Sequence, residues 1–405
     1  MKTFKDLVPL IDRVRSWFDS SRCTRGRHGV APLVWSARPA MWSLSSLRSP
    51  TPCRLFVAVP VPVAVLGTLA WFGWPMALAL VRFWIGDSAS VGADTIRFRA
   101  CVQHRKFSSM PTFHARGGDI YFEQRGARAD PRVLLIHGLG CQLVQWPDSL
   151  VNGVANAGFC VVMLDNRDAG LSHESSEEPP AIDAIVAAAN GDSALAPAYA
   201  LADMAQDAVD LLDHLGQAGA HVVGLSMGGM IAQHMAISHA ERAFSLTSIM
   251  SSTGNPDLPR RDEALMAFLQ PLGAGDTDAA IEAQTRAFQA IGSEHYDSAE
   301  VGFARFSRRA VERSFRPAGL MRQLGAIVAD GDRRERLAAV RAPTLVIHGV
   351  DDPLVPVEAG RDTAAAIDGA RIVEIDRLGH DLPEPEVPRV VEAIVEHARS
   401  VELLR

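Results

Sequence analysis

The sequence predicts an α/β protein built on a mostly parallel β-sheet flanked by helices. Three observations lead there. From residue 115 onward, short β-branched and aliphatic runs alternate with longer stretches whose apolar residues recur at helical spacing, the pattern of strands and covering helices in turn. The candidate strands are RVLLI (132–136), FCVVML (159–164), HVVGL (221–225), LTSIM (246–250), TLVIH (344–348) and RIVEI (371–375). Between about 255 and 342 the strands disappear into a helical interval that reads as a cap over the sheet.

The elements follow in order. The run Tyr199 to Leu215 carries apolar residues at helical spacing, a second helix begins near Met227, and Val387 to Leu404 closes the chain as another amphipathic helix. In the cap interval Met266, Phe268, Leu269, Phe288, Phe303, Phe306, Phe315 and Met321 supply either a core of its own or the lining of an apolar pocket.

With 405 residues, 48% apolar and 21% charged, the chain can bury a substantial core and is not disordered throughout. Its length fits one large domain with an appendage as well as two domains. A net charge of −7, with no basic stripe interleaved with aromatics in the second half, excludes nucleic acid as an expected partner. The five cysteines, Cys23, Cys53, Cys101, Cys141 and Cys160, are odd in number and lack CxxC spacing, so neither a disulfide framework nor a zinc site is expected.

Residues 1–110 differ in character from 111–405, being rich in Arg, Ser, Pro and Trp. They read as an N-terminal extension, poorly structured or membrane-associated. Leu55 to Val81 is 27 residues without a charge, longer than the roughly 20 that span a bilayer as a helix. Pro60, Pro62 and Pro75 interrupt it, and arginines flank both ends, so no orientation follows. The alternative is that Met110 is the working start and the upstream region adds nothing to activity. A cytoplasmic protein is expected in that case, and a membrane-anchored one otherwise.

Residues 224–229 read GLSMGG, placing the G-x-S-x-G pattern after an apolar strand and before an amphipathic helix. That context exposes the Ser226 hydroxyl on a sharp turn at the carboxyl edge of the sheet, with Gly224 and Gly228 supplying the close packing that the turn needs. A serine hydroxyl is a weak nucleophile and requires a general base, which a carboxylate must orient. TLVIH is followed by Asp351 and Asp352, and RIVEI by His380. The chain order Ser, Asp, His results.

These blocks carry a resemblance. HGLG (137–140), DNRDAGLS (165–172), GLSMGG (224–229), HGVDDPLVP (348–356) and GHDLP (379–383) are similar, in order, to the α/β-hydrolase superfamily, over residues 115–405, and within it to the serine esterase branch of the aclacinomycin methylesterase type. The resemblance implies an α/β-hydrolase fold with a helical cap and a Ser226–His380–Asp352 triad. The family's Gly, two residues, then Asp lands from Gly349 on Asp352 and leaves Asp351 as its neighbour. Oxyanion donors are then the backbone N–H groups of Leu139 and Met227.

His137 and Gly138 are expected to support the site, as is Arg167 by pairing with a carboxylate beside it. His348 precedes a glycine at a strand end, where packing and hydrogen bonding to backbone explain it, and His214, His221, His234, His239 and His397 share no ligand spacing. Cys141 reads as a small buried filler. The expected activity is hydrolysis of a small-molecule carboxylic ester through a covalent acyl-enzyme, without cofactor or metal. Lactone, thioester or carbon–carbon bond hydrolysis is the alternative, and a noncatalytic ligand-binding protein of the same fold the next. Oligomeric state leaves no signature in the sequence.

Overall fold

The computed structural model describes residues 111–259, 261–269, 276–296 and 302–403. The N-terminal extension, with its 55–81 run and Met110, lies outside the described residues. Among the described residues no helix is long and apolar enough to cross a membrane.

The chain opens with β1 (Thr112–Ala115) and β2 (Gly118–Arg125), then β3 (Arg132–Ile136), α1 (Asp148–Asn156), β4 (Cys160–Leu164), α2 (Ile182–Ala189) and α3 (Leu201–His214). Next come β5 (Ala220–Leu225), α4 (Met227–Ser238) and β6 (Ala243–Ile249). The cap helices α5 (Asp262–Leu269), α6 (Thr277–Gln289), α7 (Phe303–Arg313) and α8 (Pro317–Asp330) follow, with the single turn α9 (Arg334–Leu337). The chain ends on β7 (Thr344–Gly349), α10 (Val357–Ala366), β8 (Arg371–Ile375) and α11 (Val387–Glu402).

The eight strands form one sheet in the order β1-β2-β4-β3-β5-β6-β7-β8. β3 to β8 run parallel, while β2 pairs antiparallel with both β1 and β4. β3, β4, β5 and β7 are buried along their whole length, because helices cover both faces. Successive side chains point to opposite faces. Leu134, Ile136, Val162, Leu164 and Val222 therefore pack with Met204, Leu211, Leu212 and Ile231 on the α3 and α4 side. Val133, Leu135, Val161, Val223 and Ile347 pack with Leu150, Val154, Val390 and Ile394 on the α1 and α11 side.

All six expected strands are present, and the helices expected at 199–215, near 227 and from 387 are α3, α4 and α11. The β1–β2 hairpin was not anticipated. Only one side of it is buried, through Phe113, Ala115, Ile120 and Phe122, and its short polar sequence lacks the continuous apolar run of the central strands. Above the carboxyl ends of the strands the cap has its own core, in which Met266, Phe268, Phe288, Phe303, Met321 and Leu324 meet Cys141 and Leu139 of the sheet domain.

Candidate active site

Ser226 stands between β5 and α4 with φ 55° and ψ −121°, a backbone region that a side chain adopts only when its surroundings impose it, at a cost of about 1–3 kcal/mol. The surroundings do so here. Its N–H donates to the Ile249 carbonyl at 2.8 Å, and its carbonyl accepts from the Gly229 N–H and from Ser251 Oγ, each at 2.8 Å. A Cβ at Gly224 would lie 2.0 Å from the Gly228 carbonyl oxygen, and one at Gly228 would lie 2.0 Å from that of Ile136. Those two glycines let the turn close against β3.

His380 follows β8 in a loop held by the cap. Its N–H donates to the Ile291 carbonyl at 2.8 Å, and the preceding Gly379 N–H donates to Ser293 Oγ at 2.8 Å. The imidazole is buried. Nε2 lies 3.0 Å from Ser226 Oγ and Nδ1 lies 2.6 Å from Asp352 Oδ2. Asp352 follows β7, is 4% exposed, and receives the N–H groups of Leu354 and Val355 on its other oxygen at 2.9 and 2.8 Å. Asp351 is exposed and turns toward His295, 4.0 Å away. The structure thus brings Ser226, His380 and Asp352 into one hydrogen-bonded line and leaves Asp351 out of it.

Leu139 and Met227 lie at the same edge. Met227 opens α4, where the first N–H groups have no carbonyl within the helix to bond. Among the described residues the Leu139 N–H has no acceptor either. Gly138 separates that loop from the Ser226 turn: a Cβ there would sit 3.2 Å from Ser226 Cβ.

The residues expected to support the site lie around it as follows. His137 accepts the Gly138 N–H on Nδ1 at 2.8 Å and packs against Trp146 with centroids 4.7 Å apart. Burial pushes its pKa down to about 4, so the ring is neutral near pH 7. Arg167 binds Asp207 through Nε at 2.7 Å and Nη2 at 2.8 Å, both buried, a forked pair that orders the loop after β4. His348 is fully buried and donates to the Val355 carbonyl at 2.9 Å, holding the loop that carries Asp352. Cys141 is buried, and burial pushes its thiol up to about 12.

Several residues at this edge were not anticipated. Gln323 of α8 bonds the Gly140 N–H and the Arg167 carbonyl. Asp381, next to His380, accepts from both the N–H and the hydroxyl of Ser293. Asp168, at φ 68°, holds a buried forked pair with Arg322 and a 2.6 Å hydrogen bond from the Tyr199 hydroxyl. Their partners lie 31 to 183 residues away, and no local pattern announces such pairs.

A cavity of about 430 Å³ opens over Ser226 and His380. Leu139, Met227, Met230, Leu354 and Val355 line it from the sheet domain, and Leu265, Phe268, Phe288, Phe303, Phe306, Leu324 and Ile327 from the cap. Its walls are mostly apolar, with Arg305, Arg309, Asp148 and Glu384 among its charged lining residues. Among the described residues no group of three or more His, Cys, Asp and Glu side chains is gathered as a metal site requires.

The family model for the alpha/beta hydrolase fold matches residues 131–386. A rhodomycin D methylesterase of Streptomyces sp. (strain C5) is 29% identical over 306 residues, covering 69% of this chain and 95% of that protein. A 2-hydroxy-6-oxononadienedioate/2-hydroxy-6-oxononatrienedioate hydrolase of Burkholderia vietnamiensis is 28% identical over 269 residues, covering 64% and 84%. The crystal structure of the enol-lactonase from Burkholderia xenovorans LB400 superposes with a TM-score of 0.55 at 22% identity, covering 72% of this chain and all of that one. A parallel sheet under a helical cap, a serine on a strained strand-to-helix turn and a family match across most of the described chain agree with one another: this chain belongs to the α/β-hydrolase fold family, and it is a hydrolase.

Proposed function

We propose that the protein is a serine hydrolase of carboxylic esters. Ser226 is its nucleophile, His380 the general base and Asp352 the carboxylate that orients the imidazole. The observation that carries this reading is the position of His380, within hydrogen-bond distance of Ser226 on one ring nitrogen and of Asp352 on the other. Asp352 accepts from Nδ1–H, which leaves Nε2 as the acceptor for the serine proton.

In the first step the Ser226 oxygen bonds to the ester carbonyl carbon and its proton passes to Nε2. The carbonyl oxygen becomes an oxyanion, which the N–H groups of Leu139 and Met227 receive. Collapse expels the alcohol, protonated from His380, and leaves an acyl-enzyme. Water then repeats the sequence with the same base and releases the acid. The apolar cavity takes the acyl part, and the methylesterase relative supports a small alcohol as leaving group. Lactones, named for one solved neighbour, and carbon–carbon bonds beside a carbonyl yield to the same nucleophile.

The test is labelling of the full chain with a fluorophosphonate, combined with turnover of p-nitrophenyl butyrate and a panel of methyl esters, lactones and ring-cleavage diketones. Label on Ser226 and a loss of about 10⁶ in kcat on Ser226→Ala are the expected results. Label on another residue overturns the mechanism. Turnover of diketones alone overturns the ester assignment.

A further inference from the structure

The loop carrying Leu139 is held from the cap. Residues 138–141 form a β-turn in which the Cys141 N–H donates to the Gly138 carbonyl at 3.1 Å. Gly140 has φ 67°, whereas Leu139 keeps a negative φ. Those values belong to a type II turn, whose central peptide is rotated by about half a turn relative to type I. The N–H of that central peptide, from Gly140, donates to Gln323 Oε1 at 2.8 Å.

Gln323 is fully buried on α8. Its side-chain amide is spent at both ends, since Nε2 donates to the Arg167 carbonyl at 2.7 Å. Three residues earlier on the same helix face, Leu320 packs on the turn so closely that a Cβ on Gly140 would lie 2.6 Å from its Cδ1. One face of one cap helix therefore both packs and hydrogen-bonds the turn.

We propose that Gln323 is a positioning residue for the reaction: its side-chain carbonyl ties the 138–141 turn to α8 and so holds the Leu139 N–H where the oxyanion forms. This rests on the proposed role of Leu139 as an oxyanion donor. Without the acceptor, the half-buried Gly140 N–H is left unpaired. The turn is then tied to α8 by the Leu320 contact alone and shifts as a body, which carries the Leu139 N–H away from the oxyanion. A ground-state ester gains little from that donor and the tetrahedral intermediate gains much, so the loss falls on turnover and not on substrate binding.

The test compares Gln323→Met, which keeps the side chain's length and removes both hydrogen bonds, with Gln323→Glu, which keeps an acceptor toward Gly140. Both are made in the full chain and assayed for kcat, KM and inhibition by phenylboronic acid, whose adduct on serine is tetrahedral. Gln323→Met is expected to lower kcat about 10- to 100-fold, with KM moved less than about threefold. Boronic acid inhibition is expected to weaken by about the same factor as kcat/KM. Gln323→Glu is expected to stay within about fivefold of wild type in kcat. Unchanged kcat in Gln323→Met, or equal weakening of substrate and boronic acid through KM alone, overturns the proposal. If Gln323→Met does not fold, a folded Gln323→Glu enzyme that has lost about a hundredfold in kcat overturns it instead. A wild-type chain that takes no fluorophosphonate on Ser226 is a failure of the underlying functional reading, and it is seen before either variant is measured.

Discussion

Ser293 and Asp381 are joined twice. The Ser293 N–H donates to Asp381 Oδ2 at 3.0 Å and its hydroxyl donates to Oδ1. The same hydroxyl accepts the Gly379 N–H at 2.8 Å, so one serine of the cap grips the residues on both sides of His380. Burial raises the Asp381 carboxyl above its usual range, and the two bonds from Ser293 oppose that rise. The histidine loop is thus braced by the cap as well as by β8.

Ser293→Ala removes the hydroxyl and leaves a buried Gly379 N–H without its acceptor. The expected cost is about 1–3 kcal/mol of stability, read as a lower urea midpoint with an unchanged slope. Turnover is expected to fall with it, because His380 loses one of the contacts that hold its backbone. A variant as stable and as fast as wild type contradicts the brace.

Stability is expected to fall with pH in two stages. Burial lowers His137 and His397 to about 4, below the 6.5 of an exposed histidine. A base with a depressed folded pKa stabilises fully above its unfolded value and loses that contribution as pH falls toward the folded one. The first loss therefore runs from about pH 6.5 to pH 4 and amounts to on the order of 3 kcal/mol per histidine at most. Asp330 gives the second. Burial alone would raise it, but the hydrogen bond from His234 and the charge of Arg333 bring it to about 2. An acid depressed in this way loses its stabilisation between its unfolded value near 4 and pH 2. Urea midpoints measured between pH 8 and pH 4.5 check the first stage, and His397→Gln is expected to flatten that slope.

The two neighbouring aspartates are expected to separate sharply. Asp352→Asn replaces the acceptor of the His380 Nδ1–H and favours the wrong tautomer, with a loss of about 10⁴ in kcat. Asp351→Asn, at an exposed position facing His295, is expected to stay within about twofold of wild type, the range of surface substitutions away from the chemistry. Steady-state kinetics on one ester decides it. The reverse ranking would mean that the loop after β7 adopts a different register.

The central strands were legible because burial on both faces leaves a continuous apolar run, and such a run is a property of neighbouring residues. The β1–β2 hairpin has one buried face, and its strands of four and eight residues set polar residues between the apolar ones, so no continuous apolar run stands out. Ser226 was legible because a strained strand-to-helix turn needs glycine at fixed offsets, which writes the turn into six consecutive letters. His380 and the Asp351–Asp352 pair were legible as residues at strand ends in a familiar order.

The sequence by itself determined the class of fold, the order of its parallel strands' segments and the serine on the strand-to-helix turn, because periodicity and turn chemistry act between residues close in the chain. Only the tertiary structure decided which aspartate faces His380, that Ser293 grips the histidine loop, and that Gln323 holds the turn of Leu139. Those relationships span 28, 88 and 183 residues. Each is a hydrogen bond between groups far apart in the chain: the first joins loops that follow adjacent strands, and the other two exist only because packing brings a cap helix or loop onto the carboxyl edge of the sheet.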